Sequence, residues 1–458
     1  KGGREIMRNT VALGVVAGLL DFEPEYIAGV IRDNFTSKGQ ETVDANLRAA
    51  EAGVDVGHSL AARFPFRAPV VPNAPHRLIL NGNEAFALGA LAGGCRFVSG
   101  YPMTPGSPVL QWFSGHAADY GVVTKHAEDE IAAINMAIGA AHAGARTLVP
   151  TSGGGFSLMV EGLGLAGITE TPVVIYNAQR PGPATGLPTR HEQADLLFSI
   201  FASQGEFPRF VLTPGSIEEA FRIGWQAFNL AERHQTPAVV LGDHFLATTY
   251  RTVDMQALDF DTVSIDRGSL LSVDDLDTME EPYLRYRITE SGVSPRAIPG
   301  HPHAVYVAAS NEHDERGAIS ESIANRVAQV DKRARKLIGM ARDTPQPTGY
   351  GPRDGTTALI CWGSTYGAVR ETVDVLNRNE PGSARMVHFS SLCPFPTEAT
   401  EQTLISAQQT VVVEMNSTGQ LEKLLRMHTG FTPDGHIRKY DGRAFTPGNI
   451  LAGLKEVA

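Results

Sequence analysis

Cysteine is scarce in this sequence. The 458 residues include three cysteines, Cys95, Cys361 and Cys393, which lie far apart and form no Cys-x-x-Cys pair. Three cysteines exclude a disulfide framework, and they cannot supply the four thiolates that hold an iron–sulfur cluster. We therefore expect a protein of the reducing cytoplasm that carries no cluster of its own.

Basic runs and long hydrophobic runs are also missing. The net charge is −11 and Lys and Arg form no cluster, which argues against a surface for nucleic acid or anionic membrane. No apolar stretch reaches the roughly 20 residues of a membrane span, and no signal peptide is visible. Hydrophobic residues make up 42% and charged residues 19%, as is usual for a globular enzyme, and the length suits two or three domains.

The distribution of proline and of apolar residues predicts five segments. A linker with four prolines, which resist regular structure, separates N-terminal helices from two α/β regions. The polar connection between those regions contains one helix near residues 319–341, and a connection of this length is usually functional or interface-forming. The predicted segments are 1–62 (helical), 63–77 (linker), 78–250 (first α/β domain), 251–350 (connection) and 351–458 (second α/β domain).

Continuous apolar runs, rather than alternating ones, mark the strands of both α/β regions. Such runs suit parallel strands that helices cover on both faces, so the first region is predicted to be a doubly wound parallel sheet and the second a further α/β domain. In such sheets, ligands bind at the carboxyl ends of the strands. The predicted strands are 95–100, 146–151, 172–178, 209–214 and 237–243 in the first region, and 358–363, 385–390 and 410–416 in the second.

The stretch from His126 to Thr189 organises the rest of the chain. It reads helix, strand, glycine-rich turn, helix, strand and loop. At 100° per residue, Glu130 falls beside the apolar face of the first helix, whereas Glu128 and Asp129 point away from it. Two interpretations stay open: acids that complement the dipole at a helix start, or a carboxyl group tuned by burial for proton chemistry. The apolar face is predicted to contain Ile131, Ile134, Ile138 and Ala141.

Three polar segments, 101–105, 151–155 and 180–183, follow predicted strands and therefore share one edge of the first sheet. The turn TSGGG at 151–155 exposes backbone amides that suit a phosphate, but it matches neither GxGxxG nor GxxxxGK[ST]. Close approach of this backbone to a cofactor or a neighbouring element is the favoured interpretation. Arg180 is either a surface arginine or a bidentate ligand for a carboxylate, which suits the guanidinium fork.

Other patterns argue against several enzyme classes. No GxSxG elbow accompanies the scattered Ser, His and Asp residues, which argues against a serine hydrolase. No convincing GxGxxG is followed by a ribose-binding acid, which argues against a Rossmann dehydrogenase. One ligand-rich cluster lacks zinc spacing, so we interpret it as solvated or structural and predict no metal site in this chain. Its members are His301, His303, Glu312, His313 and Asp314.

Taken together, the motifs resemble the α subunit of 2-oxoacid:ferredoxin oxidoreductases over nearly the whole chain. The helical segment 1–62 resembles the tail of the family's γ domain, which some members fuse ahead of α. Because residue 1 is Lys, we expect a fragment of a longer chain. The fused order and the linker motifs point to the 2-oxoglutarate branch. The matching segments are SGYPMTPGSP (99–108), EDEIAAINMAIGAAHAGAR (128–146), TSGGGFSLMVEGLGLA (151–166), RPGPATGLPTRHEQADL (180–196), RYRITESGVSPRAIPG (285–300), SNEHDERG (310–317), CWGSTYG (361–367), CPFP (393–396) and VEMNSTGQL (413–421).

The resemblance implies a pyrimidine-type thiamin-diphosphate-binding domain in the first α/β region and a transketolase-C-terminal-like domain in the second. Glu130 would be the catalytic glutamate that hydrogen-bonds the aminopyrimidine ring of the cofactor. Thr104, Arg180 and Thr189 would contact the carboxylate and carbonyl groups of the substrate. The further cofactor contacts implied are Tyr101, Pro102, Thr151, Ser152 and Gly153.

The implied reaction is the oxidative decarboxylation of 2-oxoglutarate with coenzyme A, which gives succinyl-CoA, carbon dioxide and reduced ferredoxin. The chain lacks the family's GDG…N motif, so a β subunit is expected to supply Mg²⁺, the diphosphate site and [4Fe-4S] clusters within an α2β2 assembly. Pyruvate or branched-chain 2-oxoacids stay open as substrates, and so does a non-catalytic scaffold subunit. Two departures from the usual family motifs, YPMTP for YPITP and GPATG for GPSTG, leave the named residues in place.

Overall fold

The computed structural model describes residues 7–68, 71–404 and 407–457. The chain divides into two compact units, Lys1–His76 and Arg77–Ala458. Among the described residues, no helix combines the length and the apolar character needed to cross a membrane.

In its described residues, 7–68 and 71–76, the first unit contains three α-helices, α1 (Arg8–Leu20), α2 (Pro24–Phe35) and α3 (Gln40–Leu60), as the helical pattern predicts. Helices α1 and α3 touch backbone to backbone. A Cβ on Gly14 would clash with the carbonyl oxygen of Ala50, so only glycine permits this approach. Close packing of small residues therefore joins the two longer helices of this unit.

The second unit contains two α/β domains and the connection between them. The first domain comprises β1 (Arg77–Leu80), α4 (Gly82–Ala92), β2 (Phe97–Gly100), α5 (Ser107–Tyr120), β3 (Val123–His126), α6 (Glu130–His142), β4 (Thr147–Thr151), α7 (Gly153–Ile168), β5 (Val174–Gln179), α8 (Leu196–Phe201), β6 (Phe210–Leu212), α9 (Ile217–His234), β7 (Ala238–Asp243), α10 (His244–Thr248) and β8 (Arg251–Asp254). The rest comprises α11 (Val273–Asp277), α12 (Ile323–Asp343), β9 (Thr348–Tyr350), β10 (Thr357–Trp362), α13 (Thr365–Asn379), β11 (Ala384–Phe389), β12 (Ser391–Cys393), α14 (Thr397–Leu404), β13 (Gln409–Glu414), α15 (Gln420–Thr429), β14 (Gly435–Arg438) and α16 (Pro447–Val457).

Seven strands form the sheet of the first domain, in the order β12-β6-β7-β5-β4-β2-β3. All neighbouring strands are parallel except β12 and β6, so a strand from the second domain forms one edge of the first domain's sheet. Strands β4, β5 and β7 are buried along their whole length, as continuous apolar runs predict. Strands β1 and β8 form a separate antiparallel pair.

Helices cover both faces of this sheet. On one face, Phe86 of α4 and Phe221 of α9 belong to the same core as Tyr176 of β5, and the rings of Phe86 and Tyr176 stack at 4.4 Å. On the other face, Ile134 of α6 and Phe156 of α7 are fully buried. The predicted doubly wound α/β fold is therefore confirmed.

The second domain has a five-stranded sheet in the order β14-β13-β10-β11-β9, in which β9 alone is antiparallel to its neighbour. Its three buried strands, β10, β11 and β13, are the three that the sequence predicts. Trp362 and Phe389 of this domain share the core that contains Ile134 and Phe156. The two α/β domains are thus joined by one continuous hydrophobic core.

Buried ion pairs hold the connection against the first domain. Glu170, just after α7, accepts contacts from Nζ of Lys332 at 2.6 Å and Nζ of Lys336 at 2.5 Å. Burial alone would raise the pKa of Glu170, but the two ammonium groups hold it well below its usual range. The lysines lie on α12, which begins four residues after the predicted start at 319 and ends at Asp343. These pairs fix a segment whose backbone makes few helix or strand hydrogen bonds.

Candidate active site

Helix α6 presents a carboxylate at the carboxyl edge of the first sheet. Its N-cap is Asp129, whose Oδ1 accepts a hydrogen bond from the backbone N–H of Ala132 at 2.7 Å. Glu130 is 3% exposed, whereas Glu128 and Asp129 are exposed, so the predicted directions of the three acids are confirmed. The prediction for Ile131 is wrong: its side chain is 51% exposed, because it stands apart from the buried positions that follow Glu130 at three- and four-residue spacing.

One oxygen of Glu130, Oε1, is buried and has no hydrogen-bond partner among the described residues. An unpaired buried acceptor costs about 1–3 kcal/mol, so a donor on a bound group would be stabilising. The backbone of α7 closes one side of this carboxylate, since a Cβ on Gly155 would lie 2.6 Å from Oε1 and closer still to Oγ1 of Thr151. A larger residue at position 155 would have to displace the side chain of Glu130 or Thr151.

The turn between β4 and α7 holds a second unpaired polar atom. Thr151 and Ser152 are fully buried, and Ser152 is the N-cap of α7 although its side chain makes no capping bond. Within the described ranges, Oγ of Ser152 has no partner. The strand-to-helix turn predicted at 151–155 is confirmed. It leaves the unpaired amides of a helix N-terminus close to Glu130.

The loop after β2 packs on this turn. Sδ of Met103 accepts a hydrogen bond from the backbone N–H of Gly155 at 3.2 Å, and a Cβ on Gly106 would clash with the carbonyl oxygen of Thr151. The loop therefore lies over the start of α7. Its exposed residues include Tyr101, Pro102 and Thr104, all three of which the sequence predicts as site residues.

Arg180 follows β5 and reaches the same loop. Its Nη1 donates to the carbonyl oxygen of Thr104 at 2.6 Å, although the two residues are 76 positions apart. Its Nε is buried and has no partner in the described part of the chain. Burial lowers the pKa of Arg180 and the charge of Asp195 acts in the opposite direction, but a guanidinium stays protonated. A half-buried cation with an unpaired N–H suits an anionic ligand such as a carboxylate.

Asp195 is a site residue that the sequence patterns did not indicate. Its Oδ2 accepts a hydrogen bond from Nδ2 of Asn177 at 3.3 Å, and its backbone N–H donates to Oε1 of Gln179 at 3.0 Å. A Cβ on Gly153 would clash with Oδ2, so the carboxyl group contacts the first turn of α7. Burial raises the pKa of Asp195 to about 6, against the opposing effects of Asn177 and Arg180. The available signal was an acid directly before the apolar helix LLFSIF.

Thr189 makes no hydrogen bond to the other predicted substrate residues in the described part of the chain. It is exposed in the loop 181–194, and its carbonyl oxygen accepts a hydrogen bond from Nη1 of Arg190 at 3.3 Å. In the described ranges, no hydrogen bond joins its side chain to Thr104 or Arg180. The structure thus brings Thr104 and Arg180 together and leaves Thr189 on the loop.

The second domain holds the end of this loop. The backbone N–H of Gln193 donates to the carbonyl oxygen of Met415 at 2.8 Å, and Oε1 of Gln193 accepts from the N–H of Met415 at 3.3 Å. Nε2 of Gln193 donates to the carbonyl oxygen of Trp362 at 3.2 Å. The fully buried Gln193 therefore fixes the chain two residues before Asp195.

The ligand-rich cluster divides into separate features. Glu312 accepts hydrogen bonds from both terminal nitrogens of Arg333, at 3.0 and 2.8 Å. His313 is fully buried, with its ring centroid 4.0 Å from that of Tyr286. These contacts fix the connection against α12. The remaining members form surface hydrogen bonds: His301 with Asp277, His303 with the carbonyl oxygen of Leu276, and Asp314 with the backbone N–H groups of Arg316 and Ala318.

A cavity of about 690 Å³ lies between the two α/β domains, lined by residues that include His191, Phe245, Tyr366 and Phe445. None of the predicted site residues lines this cavity. The unpaired groups of Glu130, Ser152 and Arg180 lie instead at the sheet edge, beneath a loop whose predicted site residues are exposed.

Comparison with known proteins shows to which family this chain belongs. A family model described as "Pyruvate flavodoxin/ferredoxin oxidoreductase, thiamine diP-bdg" matches residues 88–332, and one described as "Pyruvate ferredoxin/flavodoxin oxidoreductase" matches residues 1–56. The 2-oxoacid:ferredoxin oxidoreductase subunit alpha of Saccharolobus solfataricus is 36% identical over 98% of this chain and 71% of its own length. The chain belongs to the 2-oxoacid:ferredoxin oxidoreductase α-subunit family.

Other proteins similar to this α-type chain carry narrower names. The 2-oxoglutarate synthase subunit KorA of Archaeoglobus fulgidus is 32% identical over 75% of this chain and 89% of its own length. A solved structure of 2-oxoglutarate:ferredoxin oxidoreductase from Magnetococcus marinus, with 2-oxoglutarate, coenzyme A and succinyl-CoA bound, superposes with a TM-score of 0.90 at 32% identity. The match covers 98% of this chain and 77% of that chain. The α-type chain thus contains the thiamin-diphosphate-binding domain of its family, as the motifs predicted.

Proposed function

We propose that this chain is the α subunit of a thiamin-diphosphate-dependent 2-oxoglutarate:ferredoxin oxidoreductase. The enzyme would convert 2-oxoglutarate and coenzyme A to succinyl-CoA and carbon dioxide, while two electrons pass one at a time to ferredoxin. The buried, unpaired Oε1 of Glu130 at the sheet edge carries this proposal. The 2-oxoglutarate bound in the Magnetococcus marinus structure supports this substrate over other 2-oxoacids.

The residues at the sheet edge fit thiamin diphosphate. The free oxygen of Glu130 can pair with a nitrogen of the aminopyrimidine ring and hold or release a proton there. The glycines that begin α7 keep side chains out of the space beside this carboxylate. When bound, the cofactor supplies the electron sink that decarboxylation of a 2-oxoacid requires. The further contacts that we propose are Tyr101, Pro102, Thr151, Ser152 and Gly153.

Arg180 and Thr104 form the proposed substrate anchor. The guanidinium is already fixed through the carbonyl oxygen of Thr104, so its remaining N–H groups are oriented before a ligand arrives. A planar carboxylate can accept two parallel hydrogen bonds from such a group. The hydroxyl of Thr104 would orient the neighbouring carbonyl oxygen. Thr189 would complete the anchor when the loop 181–194 approaches the substrate.

A β subunit is proposed to complete the enzyme. The chain's cysteines are unpaired in the structure, and burial raises the pKa of Cys95 to about 12 and that of Cys393 to about 11, so both stay thiols. We therefore assign Mg²⁺, the diphosphate site and the [4Fe-4S] clusters to the β subunit of a cytoplasmic α2β2 enzyme. The proposed bounds within this chain are 1–62 (γ-type tail), 63–77 (linker), 78–250 (pyrimidine-type domain), 251–350 (connection) and 351–458 (transketolase-C-terminal-like domain).

Activity of the purified complex against a panel of 2-oxoacids tests the substrate. With coenzyme A and ferredoxin present, 2-oxoglutarate is expected to give the highest kcat/KM and succinyl-CoA as the product. The rate should require thiamin diphosphate, and the complex should show the brown absorbance of iron–sulfur clusters. A complex that oxidises pyruvate or branched-chain 2-oxoacids but not 2-oxoglutarate would contradict the substrate assignment.

The isolated chain is expected to be inactive, because it lacks the GDG…N motif and any set of four cysteines. The measurement is 2-oxoacid turnover with thiamin diphosphate, Mg²⁺ and coenzyme A, before and after addition of the β subunit. Thiamin-dependent turnover by the isolated chain would show that no β subunit completes the site.

A further inference from the structure

Two opposite charges lie at the carboxyl end of β5. Arg180 directly follows the strand, and Asp195 bonds to two of its side chains. Asp195 and Arg180 influence each other's protonation, yet neither uses its hydrogen-bonding groups on the other. The carboxyl group of Asp195 accepts from Asn177, and Nη1 of Arg180 donates to the carbonyl oxygen of Thr104. The aspartate therefore lowers the local positive charge without occupying the N–H groups of the arginine.

Contacts from two elements, β5 and α15, hold Asp195 and its neighbours. Strand β5 holds its carboxyl group and its backbone N–H, through Asn177 and Gln179 respectively. Oε1 of Gln420, at the start of α15 in the second domain, accepts from the backbone N–H of Leu197 at 2.9 Å. Its Nε2 donates to the carbonyl oxygen of Ala194 at 2.7 Å. The backbone on both sides of Asp195 is therefore held in place, which keeps this residue beside the end of β5 when an anion enters.

We propose that Asp195 is a positioning residue for the substrate: it balances the charge of Arg180 in the free enzyme and takes up a proton when the carboxylate of a 2-oxoacid binds there. The inference rests on the proposed function, because it requires a carboxylate substrate at Arg180. Two carboxylates beside one guanidinium repel each other, and this repulsion favours the protonated form of the one whose backbone is held in place. The proton comes from solvent and returns to it when the substrate is consumed.

The charged groups around Asp195 allow such a change. Arg180 faces it from the end of β5, and Glu192 precedes it on the same loop. Gly153 of α7, and Gln420 of α15 against the neighbouring backbone, contribute no titratable group. Burial raises the pKa of Glu192 as well, and the charge of Asp195 adds to that rise. Burial raises the pKa of Asp195 to about 6. A new negative charge nearby therefore changes its ionisation within the neutral range.

The dependence of KM on pH provides the kinetic test. In the complete enzyme, KM for 2-oxoglutarate is expected to rise by up to about tenfold per pH unit above pH 6, because binding of the substrate requires a proton. Asp195→Asn, which is neutral at every pH, should lose this rise and have a lower KM than the wild type at pH 8. Asp195→Glu should keep a rise, and Glu192→Gln, on the same loop, should behave as the wild type.

Glutarate gives a readout that does not depend on turnover, since it has two carboxylates but no keto group to decarboxylate. Calorimetric binding in two buffers of different ionisation enthalpy measures the protons taken up. We expect uptake by the wild type and by Glu192→Gln near pH 7, and none by Asp195→Asn. Equal uptake by Asp195→Asn and the wild type, or no uptake by an enzyme that turns over 2-oxoglutarate, would overturn the inference. An enzyme that turns over no 2-oxoacid would instead contradict the proposed function.

Discussion

Two buried glutamates, one in each α/β domain, have opposite surroundings. Glu414 ends β13, and its Oε2 accepts hydrogen bonds from the backbone N–H of Leu421 at 2.9 Å and from Nδ2 of Asn416 at 2.7 Å. Glu130 begins α6 and keeps one oxygen without a partner in the described part of the chain. Both are almost completely buried. Burial alone therefore does not distinguish a structural carboxylate from a candidate catalytic one, whereas an unsatisfied buried oxygen does.

The same contrast separates two arginines. Arg146 donates to Oε2 of Glu232 at 2.8 Å, to the carbonyl oxygen of Gly93 at 2.5 Å and to that of Asp266 at 2.6 Å. Arg180 is less buried, but its Nε has no partner in the described ranges. Arg146 thus holds elements together through satisfied hydrogen bonds, whereas Arg180 keeps an unpaired N–H at the carboxyl edge of the first sheet.

Replacing Glu130 and Glu414 by glutamine is expected to give the largest difference in effect between the two glutamates. Glu130→Gln keeps the size of the side chain but removes its proton exchange, and such contributions are typically 10²–10⁴-fold, so kcat of the complex should fall by about that factor. Glu414→Gln should lower the melting temperature and change kcat far less, because its partners are backbone and amide groups within the fold.

The exposed Glu128→Gln is the control for Glu130→Gln and should have little effect on either quantity. Equal losses of kcat at positions 128 and 130, or a normal rate for Glu130→Gln, would contradict the catalytic role of Glu130.

The next largest effect is expected at Glu170, whose removal leaves two buried lysines unpaired. Glu170→Ala should lower the free energy of unfolding by about 3–5 kcal/mol. The folded-state pKa of Glu170 lies below the unfolded value of about 4.3, so its contribution is present above that pH and is lost as the pH falls below it. Denaturant unfolding between pH 3 and 7 measures both effects.

Glu161→Ala, on the exposed side of α7, is the matched control and should change stability by no more than about 0.5 kcal/mol. A Glu170→Ala protein as stable as the control would show that the ion pairs of Glu170 do not hold the connection in place.

Substitution of Arg180 tests whether the arginine with the unpaired N–H binds the substrate. Loss of a charged contact in a closed site typically costs ~2–5 kcal/mol, so Arg180→Ala should lower kcat/KM for 2-oxoglutarate at least ~30-fold. Arg180→Lys should also be impaired, because lysine keeps the charge but not the planar fork. Thiamin diphosphate affinity should stay nearly unchanged in both. If cofactor binding collapses while substrate kinetics stay normal, Arg180 supports the cofactor and the proposed substrate anchor is wrong.

The smallest effects concern two glycines, Gly155 beside Glu130 and Gly139 farther along α6. Gly155→Ala would place a methyl group against Oε1 of Glu130, and overpacking of this kind typically costs about 1–3 kcal/mol. Gly139→Ala on α6 meets open space and should stabilise the helix by up to about 1 kcal/mol. Melting temperature and thiamin diphosphate affinity distinguish them, since only Gly155→Ala should lower both. If Gly155→Ala leaves both quantities unchanged, the close approach of α7 to Glu130 is not needed.

The buried strands were predictable because strands that are covered on both faces contain continuous runs of apolar residues. Strands β4, β5 and β7 are buried at every position and have apolar centres, since helices cover both faces. The short strands β3 and β14 are partly exposed at sheet edges, so no continuous apolar run marks them. Strand β12 was not predictable for another reason: its partner β6 lies about 180 residues earlier, as the bond from Oγ of Ser391 to the carbonyl oxygen of Val211 shows.

Some features of the candidate site could likewise be predicted from the sequence, and others could not. The burial of Glu130 follows from helix geometry, and the place of Arg180 follows from the end of a strand, so both were accessible from local sequence. The exposure of Ile131 could not be predicted from local sequence, because an apolar residue at a helix start does not indicate which neighbours will cover it. Asp195 becomes partly buried only when its loop folds back on α7 and is tied down through Gln193, and no local pattern encodes such contacts.

The edge strand β12 limits how the enzyme can move. Because Ser391 and Cys393 pair with Leu212 and Val211, any hinge opening between the two α/β domains would break backbone hydrogen bonds and split a shared hydrophobic core. Substrate entry and product release therefore fall to short segments such as the loop 181–194. Any motion that opens the proposed active site should accordingly be a loop motion, and not a hinge between the two α/β domains.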